Sequence, residues 1–388
     1  MEYTHNMKMT PVGLIPEDWD VATIKDFGHL LSDGINPQQY REKDFLEYSM
    51  PAYDEGQSPT KCKGADMNSN RTQIKGKVLL FNKLNVRQKR VWYIENAPSN
   101  ALCSMEFLAY SSDKVDLRLL REILLQDSVT KGFESVSRGT SNSQKRIAPS
   151  DFLNFSFALP PLAEQHRIAD ALSGLDDMIG ALDGAITKKR QVKKGLLQLL
   201  LTGKTRLTGF SGEWVEMELG AILSYEQPGP FLVHSTDYVE TGIPVLTAGK
   251  TFILGYTNEN FGIYDKLPVI IFDDFITESK FVDFPFKAKS SAMKMLSVRD
   301  KTRHNIRFIY DVMQLIDFPM TDHKRWWIAE YSHLKVRVPA SIEEENAIAN
   351  TFSSIDGEIH NLESQRDKYR LIKQGMMQEL LTGKTRLI

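Results

Sequence analysis

The sequence is short of the features on which several functions depend. Only two cysteines, Cys62 and Cys103, occur in 388 residues. They stand far apart without CxxC spacing, which excludes a disulfide framework or a cysteine zinc site and fits a reducing compartment. The formal net charge is −2, so the chain has no global basic signature, and any phosphate-binding surface must be local. No apolar run approaches the roughly 18 residues of a membrane span, and the opening MEYTHNMKMTPVGLIPEDWD contains no apolar signal region. A soluble, cytoplasmic protein is expected. With 41% hydrophobic and 25% charged residues, the composition is that of an ordinary globular chain, long enough for about two to three domains.

Catalytic signatures are missing as well. There is no GxGxxG, HExxH or GxSxG, and the eight histidines show no metal-ligand spacing. The GKT triplets of LLTGKTRL resemble the end of a phosphate loop. That loop needs a glycine five residues earlier, where this chain has Gln198 and Gln378. Leu159–Leu162 (LPPL) lacks the polar residue with which an amino-methyltransferase holds its target amine. It reads as a strand-to-helix junction, with proline tolerated at the helix start. One carboxylate pattern is present: Glu278-x-Lys280, with Asp273, Asp274 and Asp265 upstream, mimics an Mg²⁺-dependent nuclease. The chain contains its own test of that pattern, because it is duplicated.

LLTGKTRL occurs at Leu200–Leu207 and again at Leu380–Leu387. A shift of 180 positions aligns Leu162–Leu207 with Ile342–Leu387 without a gap, with about 20 identities in 46 positions, among them Glu164/Glu344, Ile168/Ile348 and Asp176/Asp356. In the first copy Ile168, Leu172, Leu175, Ile179, Leu182 and Ile186 step by four and three, and Ile348, Phe352, Ile355, Ile359 and Leu362 keep that register. The spacing predicts two helices of about 40 residues, about 60 Å each, with a narrow heptad seam that asks for a partner helix. Lys193 and Lys373 fall on the seam, where a polar residue fixes register. Gly203 and Gly383, followed by Lys and Arg, read as helix ends.

The preceding segments match more weakly: VLLFN at Val78 with VIIFD at Val269, QKRI at Gln144 with HKRW at His323, and Trp19 with Trp214. Phe155, Phe157 and Leu159, like Leu334, Val336 and Val338, alternate as half-buried strands do. The order is globule, helix, globule, helix. If one compact second globule bridges the helix ends, the helices run antiparallel and the molecule is pseudo-twofold symmetric, with a globule at each end. On the same alignment Asp273, Asp274, Glu278 and Lys280 face Asn82, Lys83, Arg87 and Lys89, so the nuclease pattern is absent from the first copy.

Basic residues are clustered. From Lys61 to Arg90 there are nine Lys/Arg with Asp66 the sole acid, and from Lys287 to Arg307 seven with Asp300 the sole acid. Two such runs in matched globules suit a duplex phosphate backbone. Glutamine suits adenine and Arg or Lys suits guanine. The candidate DNA-binding set is therefore Arg87, Lys89, Arg90, Gln144, Lys145, Arg146, Lys287, Lys289, Lys294, His323, Lys324 and Arg325. At least one of Trp326 and Trp327 suits core packing.

LPPLAEQHRIADALSGLDDMI with KKGLLQLLLTGKTRL resembles the conserved region of type I restriction–modification specificity subunits. VPASIEEENAIANTFSSIDGEI with LIKQGMMQELLTGKTRL resembles its second copy, with VPASIEEE where LPPLAEQ is usual. The resemblance implies an α/β fold: two target recognition domains with curled β-sheets at 1–158 and 208–337, joined by two long antiparallel coiled-coil helices at 159–207 and 338–388. It further implies a non-catalytic subunit that reads a bipartite double-stranded DNA site. Its partners would be two methyltransferase subunits, which use S-adenosylmethionine to methylate adenine N6, and two restriction subunits, which use ATP and Mg²⁺. The chain itself would bind no cofactor. Two rivals stay open: an Mg²⁺-dependent DNA endonuclease using Glu278 and Lys280, and a coiled-coil scaffold that does not touch DNA.

Overall fold

The structure, a computed structural model, describes residues 6–141, 143–247, 251–319 and 325–388. The chain divides into two compact units: Met1–Ala181 with Gln365–Ile388, and Leu182–Ser364. Two 39-residue helices, Leu162–Leu200 and Ile342–Leu380, each contribute one half to each unit. The second begins 180 residues after the first, so VPASIEEE starts its helix in the same register as LPPLAEQ.

In unit 1 a short strand β1 (Asp20–Thr23) pairs antiparallel with β5 (Ser156–Leu159), which runs into the first long helix. Between them lies a four-stranded antiparallel sheet. Its order is β3 (Val91–Ala97), β2 (Gly76–Asn82), β4 (Phe107–Ser111), then His29–Leu30. Helices α1 (Leu117–Leu124) and α2 (Asp127–Val136) follow. A second sheet of five strands carries Ala101–Ser104 parallel to Asp44–Tyr48. Leu79, Phe81 and Tyr110 from the four-stranded sheet and Leu119, Leu120 and Ile123 from α1 are buried with Ile168, Ala169 and Leu172 of the first long helix and with Leu380 of the second. The seam residues at that helix start therefore serve the globule core as well as the partner helix.

Unit 2 repeats the plan. β6 (Trp214–Glu218) pairs with β10 (Lys335–Pro339) before the second long helix. A four-stranded sheet has the order β8 (Ser279–Val282), β7 (Val269–Asp273), β9 (Met293–Val298), then Leu223–Glu226, and α3 (Ile306–Met313) follows it. Lys287–Ala288 runs parallel to Ile243–Leu246 in the second, three-stranded sheet. Phe272, Leu296, Phe308 and Trp327 are buried with Ile348, Ala349 and Phe352.

Ion pairs show how the helix halves meet within each unit. In unit 1 Lys373 Nζ lies 2.7 Å from Asp176, and Arg386 bonds both oxygens of Glu164 at 2.7–2.8 Å. In unit 2 Lys193 Nζ lies 2.5 Å from Asp356, and Arg206 bonds both oxygens of Glu344 at 2.5 Å. Each pair is the other shifted by 180 positions with the helices exchanged, and rising numbers on one helix meet falling numbers on its neighbour, so the halves run antiparallel in both units. The seam lysines thus fix register through carboxylates.

LLTGKTRL has the same duty in both copies. Gly203 and Gly383, both at φ +68°, turn the chain back after each helix and bring Arg206 and Arg386 onto a buried glutamate. A Cβ on Gly383 would sit 2.4 Å from Pro16, so no other residue fits that turn without displacing the chain.

Candidate nucleic-acid interface

Most of the cations in the first basic run already have carboxylate partners. Seven of the nine between Lys61 and Arg90 are ion-paired: Lys61, Lys63, Arg71, Lys77, Arg87, Lys89 and Arg90. Two of the candidate DNA residues have their charges engaged within the unit. Arg90 is a largely buried fork on Asp54 (2.7 Å to each oxygen), and Lys89 holds Asp127 and the Leu125 carbonyl (2.9 Å), which ties the loop after β2 to α2.

The remaining unit 1 candidates are brought together. The loop after β2 and the Gln144–Ile147 segment are stitched by backbone bonds, Asn85 N–H to the Lys145 carbonyl (2.9 Å) and Ile147 N–H to the Lys83 carbonyl (3.0 Å). Arg138 and Arg146 exchange both backbone bonds at 2.8–2.9 Å. Asn85 takes the left-handed conformation (φ 51°), which asparagine tolerates, and Gly139 has no room for a Cβ, since one would lie 2.8 Å from the Gln144 carbonyl oxygen. This three-stranded knot displays Arg87, Gln144, Lys145 and Arg146. Arg146 leans on Glu106 (3.0 Å) and is still half exposed. Among the described residues, Lys83, Arg138 and Lys145 on the same knot have no ion-pair partner. Arg138 is exposed. Sequence reasoning missed Lys83 and Arg138. The first was passed over inside a run, although its alignment opposite an acid set it apart. The second lies outside both runs and had no composition signal.

Unit 2 differs. Lys287 is fully buried, with its ammonium 2.5 Å from Glu259, 2.8 Å from the Phe261 carbonyl and 4.2 Å over the Phe261 ring. Lys294 is buried 3.0 Å from Asp274 and 4.6 Å over Tyr225. Neither can reach a phosphate, because an ammonium satisfied inside a core would leave its carboxylate unpaired on departure. Both are removed from the interface. The Lys287 contact, with the N–H groups of Ser235 and His234, holds the Glu259 carboxyl down at about 2. Lys289 and Arg325 are exposed, and Trp326 and Trp327 are both core residues. His323 and Lys324 lie outside the described residues.

The carboxylates of the nuclease pattern have structural duties. Asp273 accepts the N–H groups of Phe275 (2.8 Å) and Ile276 (3.2 Å), and Asp274 accepts the Trp327 N–H (2.8 Å) besides Lys294. Among the described residues no group of three or more His, Cys, Asp or Glu could hold a metal ion, and no helix is long and apolar enough to cross a membrane.

Comparison with known proteins agrees with this architecture. Residues 16–189 match the family described as type I restriction modification DNA specificity domain. The chain is 51% identical over 148 residues to the type I restriction enzyme EcoR124I/EcoR124II specificity subunit of Escherichia coli. That match spans 37% of this chain and 36% of that protein. It is 24% identical over 98% of its length to the putative type I restriction enzyme MjaX specificity subunit of Methanocaldococcus jannaschii, covering 97% of it. The crystal structure of a type I restriction–modification S subunit from M. genitalium shares the fold at a TM-score of 0.69 and 15% identity, with 98% of each chain covered. The sheet order, repeated in two units on shared helices, defines a tandemly duplicated α/β scaffold. Within that class, the chain resembles the type I restriction enzyme specificity subunits, and residues 16–189 match their DNA specificity domain.

Proposed function

We propose that the chain is the non-catalytic DNA specificity subunit of a type I restriction–modification enzyme, each unit reading one half of a bipartite site in the major groove. Residues 1–158 and 208–337 are the recognition domains, and 159–207 and 338–388 the connecting helices. The observation that carries this reading is the unit 1 knot. The loop after β2 and the segment bearing Arg138 and Gln144–Ile147, far apart in sequence, converge to present Lys83, Arg138 and Lys145 without ion-pair partners beside Gln144, the mixture of phosphate-holding and base-reading side chains that sequence-specific binding needs. Two methyltransferase subunits, using S-adenosylmethionine on adenine N6, and two restriction subunits, using ATP and Mg²⁺, supply the chemistry, and this chain holds no cofactor.

The test is to express the chain with its methyltransferase and map N6-methyladenine across the genome. One interrupted, asymmetric motif is expected. Absence of any motif, or DNA binding that ignores salt, favours a scaffold instead. Mg²⁺-dependent cleavage by the isolated chain, lost in Glu278→Ala, would favour the nuclease.

A further inference from the structure

The turn between β7 and β8 in unit 2 is the repeat image of the cation-bearing loop in unit 1, yet its surface is apolar. Phe275 is 42% exposed and Ile276 38%. They stand on a rigid base. Asp273 caps their N–H groups, Thr277 takes the left-handed conformation (φ 54°), and the Trp326 indole donates to the Phe275 carbonyl (3.1 Å). The Trp326 N–H donates to the Asp274 carbonyl (2.9 Å), docking the short helix Trp326–Ala329 on the turn; that helix exposes Ile328 (56%). None of the three side chains is needed to make the turn, because position 273 and the backbone already do so. A folding explanation for Phe and Ile at these tips is therefore lacking, and leaving them in water is unfavourable.

We propose that Phe275 and Ile276 read thymine in the half-site of unit 2, by contact with its C5-methyl group in the major groove. The proposal rests on the DNA-reading function proposed above. The methyl group of thymine is the apolar feature of the major groove, so an apolar tip on a DNA-facing turn has one natural base partner. Charge places the tip toward bases rather than backbone. Glu278 is exposed at the end of the same turn and repels phosphate, while Arg325, exposed at the start of the docked helix, attracts it. In unit 1 the equivalent loop carries Lys83 and Arg87, opposite Asp274 and Glu278, and reads by hydrogen bonds and charge.

The experiment uses the full chain assembled with its methyltransferase and the site found by N6-methyladenine mapping. Each thymine of that site is replaced in turn by uracil, which removes only the methyl group, and binding is measured for the wild type, Phe275→Ala/Ile276→Ala and Phe275→Leu. One uracil position in one half-site should weaken wild-type binding about three- to tenfold. The double variant should lose discrimination between thymine and uracil at that position alone, and Phe275→Leu should keep part of it. If specific binding is intact but uracil has no effect at any position, or the double variant weakens all sequences equally, the thymine contact is overturned and DNA reading by the chain stands. If no specific site exists at all, both readings fall together.

Discussion

Where each globule meets the start of its long helix, the two units make the same latch from opposite chemistry. In unit 1 the helix cap is Asp116 and the long helix offers an amide: Gln165 Oε1 accepts the Asp116 N–H (3.0 Å), and His166 bonds the Asp116 carboxylate (2.9 Å). In unit 2 the cap is Asn305 and the long helix offers a carboxylate. Glu345 accepts the Asn305 N–H (2.6 Å) and the His304 ring (3.0 Å), and Asn346 stands where His166 does. The charge has crossed the joint while the hydrogen bonds remain.

A similar exchange occurs deeper in. The repeat-identical pairs Lys373–Asp176 and Lys193–Asp356 are each completed by one arginine and one acid from their own globule: Arg121 and Glu122 on α1, Arg307 and Asp311 on α3. The arginine precedes its acid by one residue in unit 1 and by four in unit 2. The helices kept sequence identity where both copies must mate. The globules needed only the same charge balance, and reached it from different positions.

The comparison can be broken most strongly at the lysines. Lys373 holds both Asp176 and the buried Glu122 (2.9 Å), whereas Lys193 holds Asp356. Lys373→Met leaves a buried carboxylate underbalanced and should cost about 3–5 kcal/mol in denaturant unfolding, with Lys193→Met costing less. Equal costs would show that the globule acids play no part.

The clasps should rank the other way. Glu164 also accepts the Trp19 indole N–H (3.0 Å), while among the described residues the buried indole N–H of Trp214 has no acceptor and Glu344 depends on Arg206. Arg206→Ala should therefore lower Tm more than Arg386→Ala, since it strands a buried carboxylate that has no second donor side chain among the described residues.

A third contrast concerns DNA. Lys83→Gln, Arg138→Gln and Lys145→Gln should flatten the salt dependence of binding by about 0.9 in log–log slope per lost phosphate contact. Lys287→Gln and Lys294→Gln should lower stability and leave the slope unchanged. A changed slope for the buried pair, or none for the surface triple, would invert the assignment.

The smallest effects are in pH dependence, and they carry opposite signs. Burial pushes the Asp116 carboxyl up, but hydrogen bonds from Arg118 and His166 more than reverse it and hold it below the usual carboxylate range. Its contribution is present above the ordinary carboxylate pKa and is lost as pH falls through the lowered value. Burial also pushes Glu345 up, and there the bonds from His304 and Asn305 offset it only in part. Its contribution is full below the ordinary glutamate pKa and fades as pH rises through the raised one. Asp116→Asn should thus flatten the acid side of the stability profile, and Glu345→Gln, which copies the amide of unit 1, the side above it. Stability curves of both variants against pH measure this directly.

The sequence by itself determined the duplication, the two helices with their common register and glycine-terminated ends, and the strand that enters each helix. These are periodic or local signals: a heptad step, an alternation and a left-handed turn are each settled within a few residues of chain. Only the tertiary structure decided which charges face water. Lys287 and Lys289 are near neighbours in one basic run, yet one ammonium is buried against Glu259, 28 positions away, and the other is exposed. The run of cations could not reveal that difference, because an ion pair is made by whichever carboxylate the fold delivers. Lys83, Arg138 and Lys145 became a surface by the same rule, when backbone bonds drew the loop after β2 onto the segment that carries Arg138 and Lys145.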